Sequence, residues 1–236
     1  MKGKSGDING SCEIYKTTQN VLILGAEFTK TTDFDISIDD KIISYSKAIK
    51  FNSIGKKNVK FIIYEDLKMD NMFKDVSSLY SINMTSENNA KILSMKGTFE
   101  NTQYLNEFYI NGFDTSEITS LNRLFYKSSI SKINMSNFKT TNLKDISYMF
   151  SSTRLSSLDF SYFNTSSIED MSSLFEGCKI LNRINFNSSY FITKQVKNFS
   201  NMFRGCDSLN ELDLSNLDTS QAVNMSKMFQ GCYKQS

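Results

Sequence analysis

Seven phenylalanines divide most of this chain into near-equal lengths: Phe73, Phe99, Phe125, Phe150, Phe175, Phe203 and Phe229. The steps between them are 26, 26, 25, 25, 28 and 26 residues. A fixed period of this size is the mark of stacked repeats. One such unit cannot bury its own apolar face and does so against its neighbours. The period therefore restricts the fold to a solenoid or a similar array before any local structure is considered.

Ten residues before each phenylalanine after the first stand Asn89, Thr115, Thr140, Thr165, Thr193 and Thr219. Their short polar side chains are of the kind that accept a free N–H at a helix N-terminus. Three, six, nine and ten residues further on lie apolar positions, such as Ile168, Met171, Leu174 and Phe175, or Leu143, Ile146, Met149 and Phe150. These spacings put one apolar stripe on a helix of about three turns. Ser166 and Glu169 have capping-box spacing. After each phenylalanine an alternating segment follows: "SLYSINM", "YLNEFYI", "ISKINM", "RLSSLDF", "ILNRINF" and "SLNELDL". Period two means strand. "SNFKT", "SYFNT" and "SNLDT" then turn the chain back. "NFNSSYFIT" carries two extra residues, placed in the strand-to-helix loop. The expected fold class is α/β, a leucine-rich-repeat-like solenoid over residues 67–236 with parallel strands on one face and helices on the other.

"LSSLDFSYFNTSSIEDMSSLFEGC" and "LNELDLSNLDTSQAVNMSKMFQGC" resemble the repeat of BspA-like leucine-rich repeat surface proteins. The resemblance covers about residues 69–232 and is strongest from residue 113 onward. "TSENNAKILSMKGTF", an early unit, keeps the stripe but loses the turn. The resemblance implies a non-catalytic module that binds proteins or other macromolecules at a cell surface or outside the cell. An intracellular scaffold with the same solenoid is the alternative.

Residues 1–66 stand outside the period. "CEIYK", "NVLILG", "DISI", "KIISY" and "NVKFIIYEDL" read as short strands. They are expected to form a β-rich cap or small domain, with a strand near Val59–Tyr64 pairing with the first repeat strand. At the other end "QGCYKQS" follows Phe229 with no further strand, so an uncapped edge is expected to permit end-to-end self-association. The first residues lack the apolar core of a signal peptide, and no apolar run reaches transmembrane length. A surface location therefore rests on the resemblance alone.

The chain has no histidine, which removes Ser-His-Asp and Cys-His nucleophiles and every histidine metal ligand. A net charge of +2 gives no electrostatic reason for a nucleic-acid partner. The expectation is no enzyme, no cofactor and no metal. Cys178, Cys206 and Cys232 share one repeat position with Val76, Thr102, Ser128 and Thr153. Small residues fill it throughout, which fits a packed column better than four converging zinc ligands. Cys12 stands alone.

The residues that alternate with the apolar ones must face outward if the apolar set faces in. They give the candidate binding face: Asn83, Glu107, Tyr109, Lys132, Asn134, Asp159, Arg183, Asn185, Glu211 and Asp213. Its functional reading is a polar recognition surface, and the bland one is a solvated face with side-chain bonds between rungs. Its charges are of mixed sign, a poor match to a phosphate backbone. Asn-x-Ser/Thr occurs at Asn9, Asn83, Asn134, Asn164, Asn187, Asn198 and Asn224. These would be glycan acceptors in a secreted eukaryotic protein. A chain so rich in Asn and Ser produces the motif by chance, and Asn198 and Asn224 fall inside predicted helices.

Overall fold

The computed structural model describes residues 6–14, 20–30, 33–186, 189–210 and 212–232. No helix occurs among them. The expected α/β class is overturned. The molecule is a β-solenoid in which stacked turns occupy the place assigned to the helices.

Six strands precede the repeats: β1 (Gly6–Ile14), β2 (Asn20–Leu22), β3 (Phe34–Ile38), β4 (Lys41–Ile43), β5 (Ala48–Lys50) and β6 (Gly55–Ile63). The repeats add β7 (Leu67–Lys68), β8 (Leu79–Thr85), β9 (Ile92–Ser94), β10 (Glu107–Asn111), β11 (Lys132–Asn134), β12 (Ser157–Asp159) and β13 (Arg183–Asn185). One sheet runs β11-β10-β8-β1-β6-β3-β4. The expected contact between the Val59–Tyr64 segment and the first repeat strand does not form. β6 pairs with β1 and β3, and β1 is the strand that meets β8. Nine residues long, β1 serves both neighbours along its length, antiparallel to each.

The N-terminal segment also touches the first coil on its turn side. Gly25 N–H donates to the Met72 carbonyl at 2.7 Å. A Cβ at Gly25 would stand 2.3 Å from the Asn71 carbonyl oxygen, so only glycine fits this approach. Ser78 Oγ donates to the Leu22 carbonyl at 2.9 Å, and Lys74 pairs with Glu27 at 2.9 Å.

The predicted helices resolve into linked β-turns. In the Phe73 coil, Met72 N–H donates to Met69 O, Lys74 N–H to Asn71 O and Val76 N–H to Phe73 O, at 2.9, 3.2 and 3.1 Å. Asn71 (φ 56°) and Asp75 (φ 61°) are left-handed at the third position of the first and third turns, as type II geometry requires. The same pair recurs two residues before and two after every later phenylalanine, as Gly97 and Asn101, Arg123 and Lys127, Tyr148 and Ser152, Ser173 and Gly177, Asn201 and Gly205, and Lys227 and Gly231.

These left-handed residues aim alternate peptide N–H groups along the stack. Asn71, Phe73 and Asp75 donate to Lys96, Thr98 and Glu100, each at 2.9 Å. Ser173, Phe175 and Gly177 donate to Ser200, Met202 and Arg204 at 2.8, 2.9 and 2.7 Å. An α-helix would spend those bonds internally. The apolar spacing of threes fits a helix face and a run of turns alike. Ser, Asn and Gly at the intervening positions favour turns, because they compete with helical bonding or supply positive φ.

The seven phenylalanines form one column. Neighbouring rings have centroids 5.4 to 5.9 Å apart and planes within 12° of parallel. All but Phe229 are fully buried. Phe61 continues the column into the N-terminal sheet with an edge contact on Phe73 at 5.4 Å.

Candidate functional site

The strand face is built in register. Asn83, Tyr109 and Asn134 are direct partners across β8, β10 and β11. Ser81, Glu107 and Lys132 form the neighbouring row. Asp159 pairs with Asn185, and Ser157 with Arg183, across β12 and β13. Asp213 follows on a segment that forms no strand, and Glu211 lies outside the described residues. Asn83, Tyr109, Lys132, Asn134, Asp159, Arg183 and Asp213 are exposed, while Glu107 and Asn185 are half-buried. Around Tyr109 a shallow open depression is lined by Asn83, Asn111, Asn134 and Asn137.

Several of these side chains also hold the scaffold. Lys132 Nζ donates to Glu107 Oε1 at 2.8 Å, and that contact raises the lysine pKa. Asn134, Asp159 and Asp213 each accept the N–H of the serine two residues on, at 3.0, 3.0 and 2.9 Å. Asp159 accepts in addition from Asn185 Nδ2 at 3.1 Å. Burial pushes the Asp159 carboxyl up, but the Ser161 and Asn185 donors outweigh it and hold the group below its usual value. Asp213 is lowered by the Ser215 N–H and hydroxyl. Both readings of the face thus describe the same residues: they bond between rungs and remain open to solvent.

The Asx-x-Ser corner recurs at two further points of the coil. Asp114, Asn164 and Asp218 accept from Ser116, Ser166 and Ser220. Asp145, Asp170, Asn198 and Asn224 accept from Ser147, Ser172, Ser200 and Ser226. Asn134, Asn164, Asn198 and Asn224 therefore follow from turn chemistry rather than chance. Asn198 and Asn224 sit at corners, not in helices. Asn187 lies outside the described residues. Sequence reasoning missed these corners, although Asx-x-Ser recurring at three phases of the period was a usable signal. Asp114 is held at about 2, chiefly by Lys139 at 3.0 Å and by Ser116.

The threonines are not helix caps. Thr115, Thr140, Thr165 and Thr193 are buried and reach to the next coil. Their Oγ1 atoms accept the N–H of Lys139, Asn164, Ile192 and Asp218 at 2.7, 2.7, 2.7 and 2.8 Å. The cysteines join the coils in the opposite direction. Cys178, Cys206 and Cys232 donate Sγ–H to the carbonyls of Phe150, Phe175 and Phe203 at 3.0, 3.1 and 2.8 Å. All three are free thiols, and burial raises their pKa values. Among the described residues no cluster of His, Cys, Asp or Glu could hold a metal ion. No helix there is long and apolar enough to cross a membrane.

Between its strands, the strand face is interrupted at β11 and β12. β8, β10 and β11 form one parallel ladder, β12 and β13 a second, and no ladder joins β11 to β12. The two strands stand apart, their Cα atoms mostly more than 8 Å from one another. On both flanks the same two coils are tied. Phe125 N–H donates to Met149 O at 2.9 Å on one side, and Asn164 N–H to Thr140 Oγ1 at 2.7 Å on the other. A slit of about 360 Å³ opens between the strands, with Ile133, Leu155, Leu158 and Phe163 among its walls and Asn134 and Asp159 at its lips. No spacing in the sequence announces it, since β10 to β11 and β11 to β12 are both 25-residue steps.

Turn-rich coils of about 26 residues, with an in-register strand face, define a repeat β-solenoid domain. The chain belongs to the family described as Mycoplasma protein of unknown function, DUF285, whose model matches residues 67–185 and 153–235. No curated protein and no solved structure matches the chain.

Proposed function

We propose that this chain is a non-enzymatic interaction or adhesion module of a cell-surface or secreted repeat protein. It binds a protein or other surface macromolecule through the strand face. The observation that carries this reading is the in-register exposed row Asn83, Tyr109 and Asn134 beside an open depression. A half-exposed tyrosine among amides offers contact area and directional hydrogen bonds together. The likeness of the repeats to BspA-like surface proteins supports the location.

The test is binding of the immobilised chain to a panel of purified cell-surface and matrix proteins. It is compared with a triple variant, Tyr109→Ala, Asp159→Asn and Asp213→Asn. Asparagine keeps the acceptor for the Ser161 and Ser215 N–H groups, so the corners survive. The expected result is binding weakened at least about tenfold. Unchanged binding by a folded triple variant overturns the proposal.

A further inference from the structure

The slit between β11 and β12 is walled by two strand edges that face each other without a ladder. Parallel strands alternate the direction of their peptide groups residue by residue. Lys132 N–H donates to Asn106 O, towards β10, so the Ile133 N–H and C=O point into the slit. Ser156 O and Phe160 N–H bond towards β13, so the peptide groups of Ser157 and Asp159 point into the slit from the other wall. Two neighbouring strands stand about 4.8 Å apart, and two strands flanking a third stand about 9.6 Å apart. β11 and β12, mostly beyond 8 Å, are too far apart for the first spacing and leave an open slit between them.

We infer that the slit takes an extended peptide segment of a partner protein, paired on both sides with the facing edges of β11 and β12. This rests on the strand face being the binding surface. The ties on both flanks limit the inserted segment to a few residues, so the partner chain dips in from the face and leaves by it. Backbone bonds to Ile133, Ser157 and Asp159 supply affinity. Side chains of an inserted strand alternate between inside and outside. One inward residue would meet Leu155, Leu158 and Phe163, so it must be apolar, and its neighbours face solvent beside Asn134 and Asp159. This is strand addition, moved from the outer edge of a sheet to a gap within it.

The test begins with a display library of random heptapeptides selected on the wild-type chain. It is counter-selected on a Ser157→Trp chain, in which an exposed side chain at the lip is enlarged to cover the slit. Enriched peptides should share one apolar residue flanked by strand-forming residues. A synthetic consensus peptide should bind wild type at least about tenfold more tightly than Ser157→Trp. N-methylation of the amides flanking the apolar residue, which removes backbone donors without changing side chains, should weaken binding to wild type at least about tenfold. This second arm holds even where the variant fails to fold. Absence of any enriched peptide, or equal binding of the N-methylated peptide, overturns strand insertion. Macromolecule binding lost in the triple variant but untouched by Ser157→Trp overturns the slit alone. Indifference to both overturns the strand-face reading with it.

Discussion

Ser152 holds a φ of 59° with its side chain exposed. A left-handed backbone is costly for an L-residue, by roughly 1–2 kcal/mol, and free of that cost for glycine. Ser152→Gly should therefore raise stability by about 0.5–1 kcal/mol, after allowing for the looser unfolded chain. In a helix the same change would lower it by about the same amount. A denaturant midpoint decides the sign, and a fall would return this segment to helix. Gly177, Gly205 and Gly231 already occupy the equivalent position. Each of these glycines is left-handed at the third position of a turn within a series of turns. Thr165 was legible in the sequence as a special position, while its role was not. Its partner, Ile192, lies 27 residues away, and no local pattern specifies a bond to the next coil.

Among the elements, the phenylalanine column was the most legible, because its period depends on stacking alone. Phe175 lies between Phe150 and Phe203 with no exposure. Phe229 meets only Phe203 among the described rings and is 45% exposed. Phe175→Ala should cost about 3–5 kcal/mol through lost burial and the cavity left in the column. Phe229→Ala should cost clearly less, since its ring is already half in water. Equal shifts in the two unfolding midpoints would mean that the column is misplaced. β8, β10, β11, β12 and β13 were also visible in the alternation of apolar and polar residues, whereas β9 falls in a segment read as helix. The last expected strand was visible in the same way, but its described residues form no strand. Leu212 and Leu214 have the pattern, yet remain half-buried and without a ladder. Alternation marks a face to be covered and does not supply the neighbour that covers it.

Across the whole molecule, stability is a sum over coil-to-coil interfaces. Turn-stack bonds join each coil to the next, and strand ladders join β8 to β10, β10 to β11 and β12 to β13, but the Phe125 and Phe150 coils carry facing strands with no ladder between them. Amide exchange should show this directly. The Phe125 amide, buried and bonded to Met149, should exchange slowly, and the Ile133 amide, facing the slit, should exchange much faster. Comparable protection at the two sites would place a partner on Ile133 and close the gap. The repeat unit and the outward columns were legible because they are written once per period. The slit was not, because it depends on how two similar units sit together. In mechanical terms, the coils are springs in series, and compliance gathers at the softest one. With no ladder between β11 and β12, the strand face should spread there first, with the stacked phenylalanine column as the pivot. A bending load along the stack should therefore open the strand face before it breaks the core.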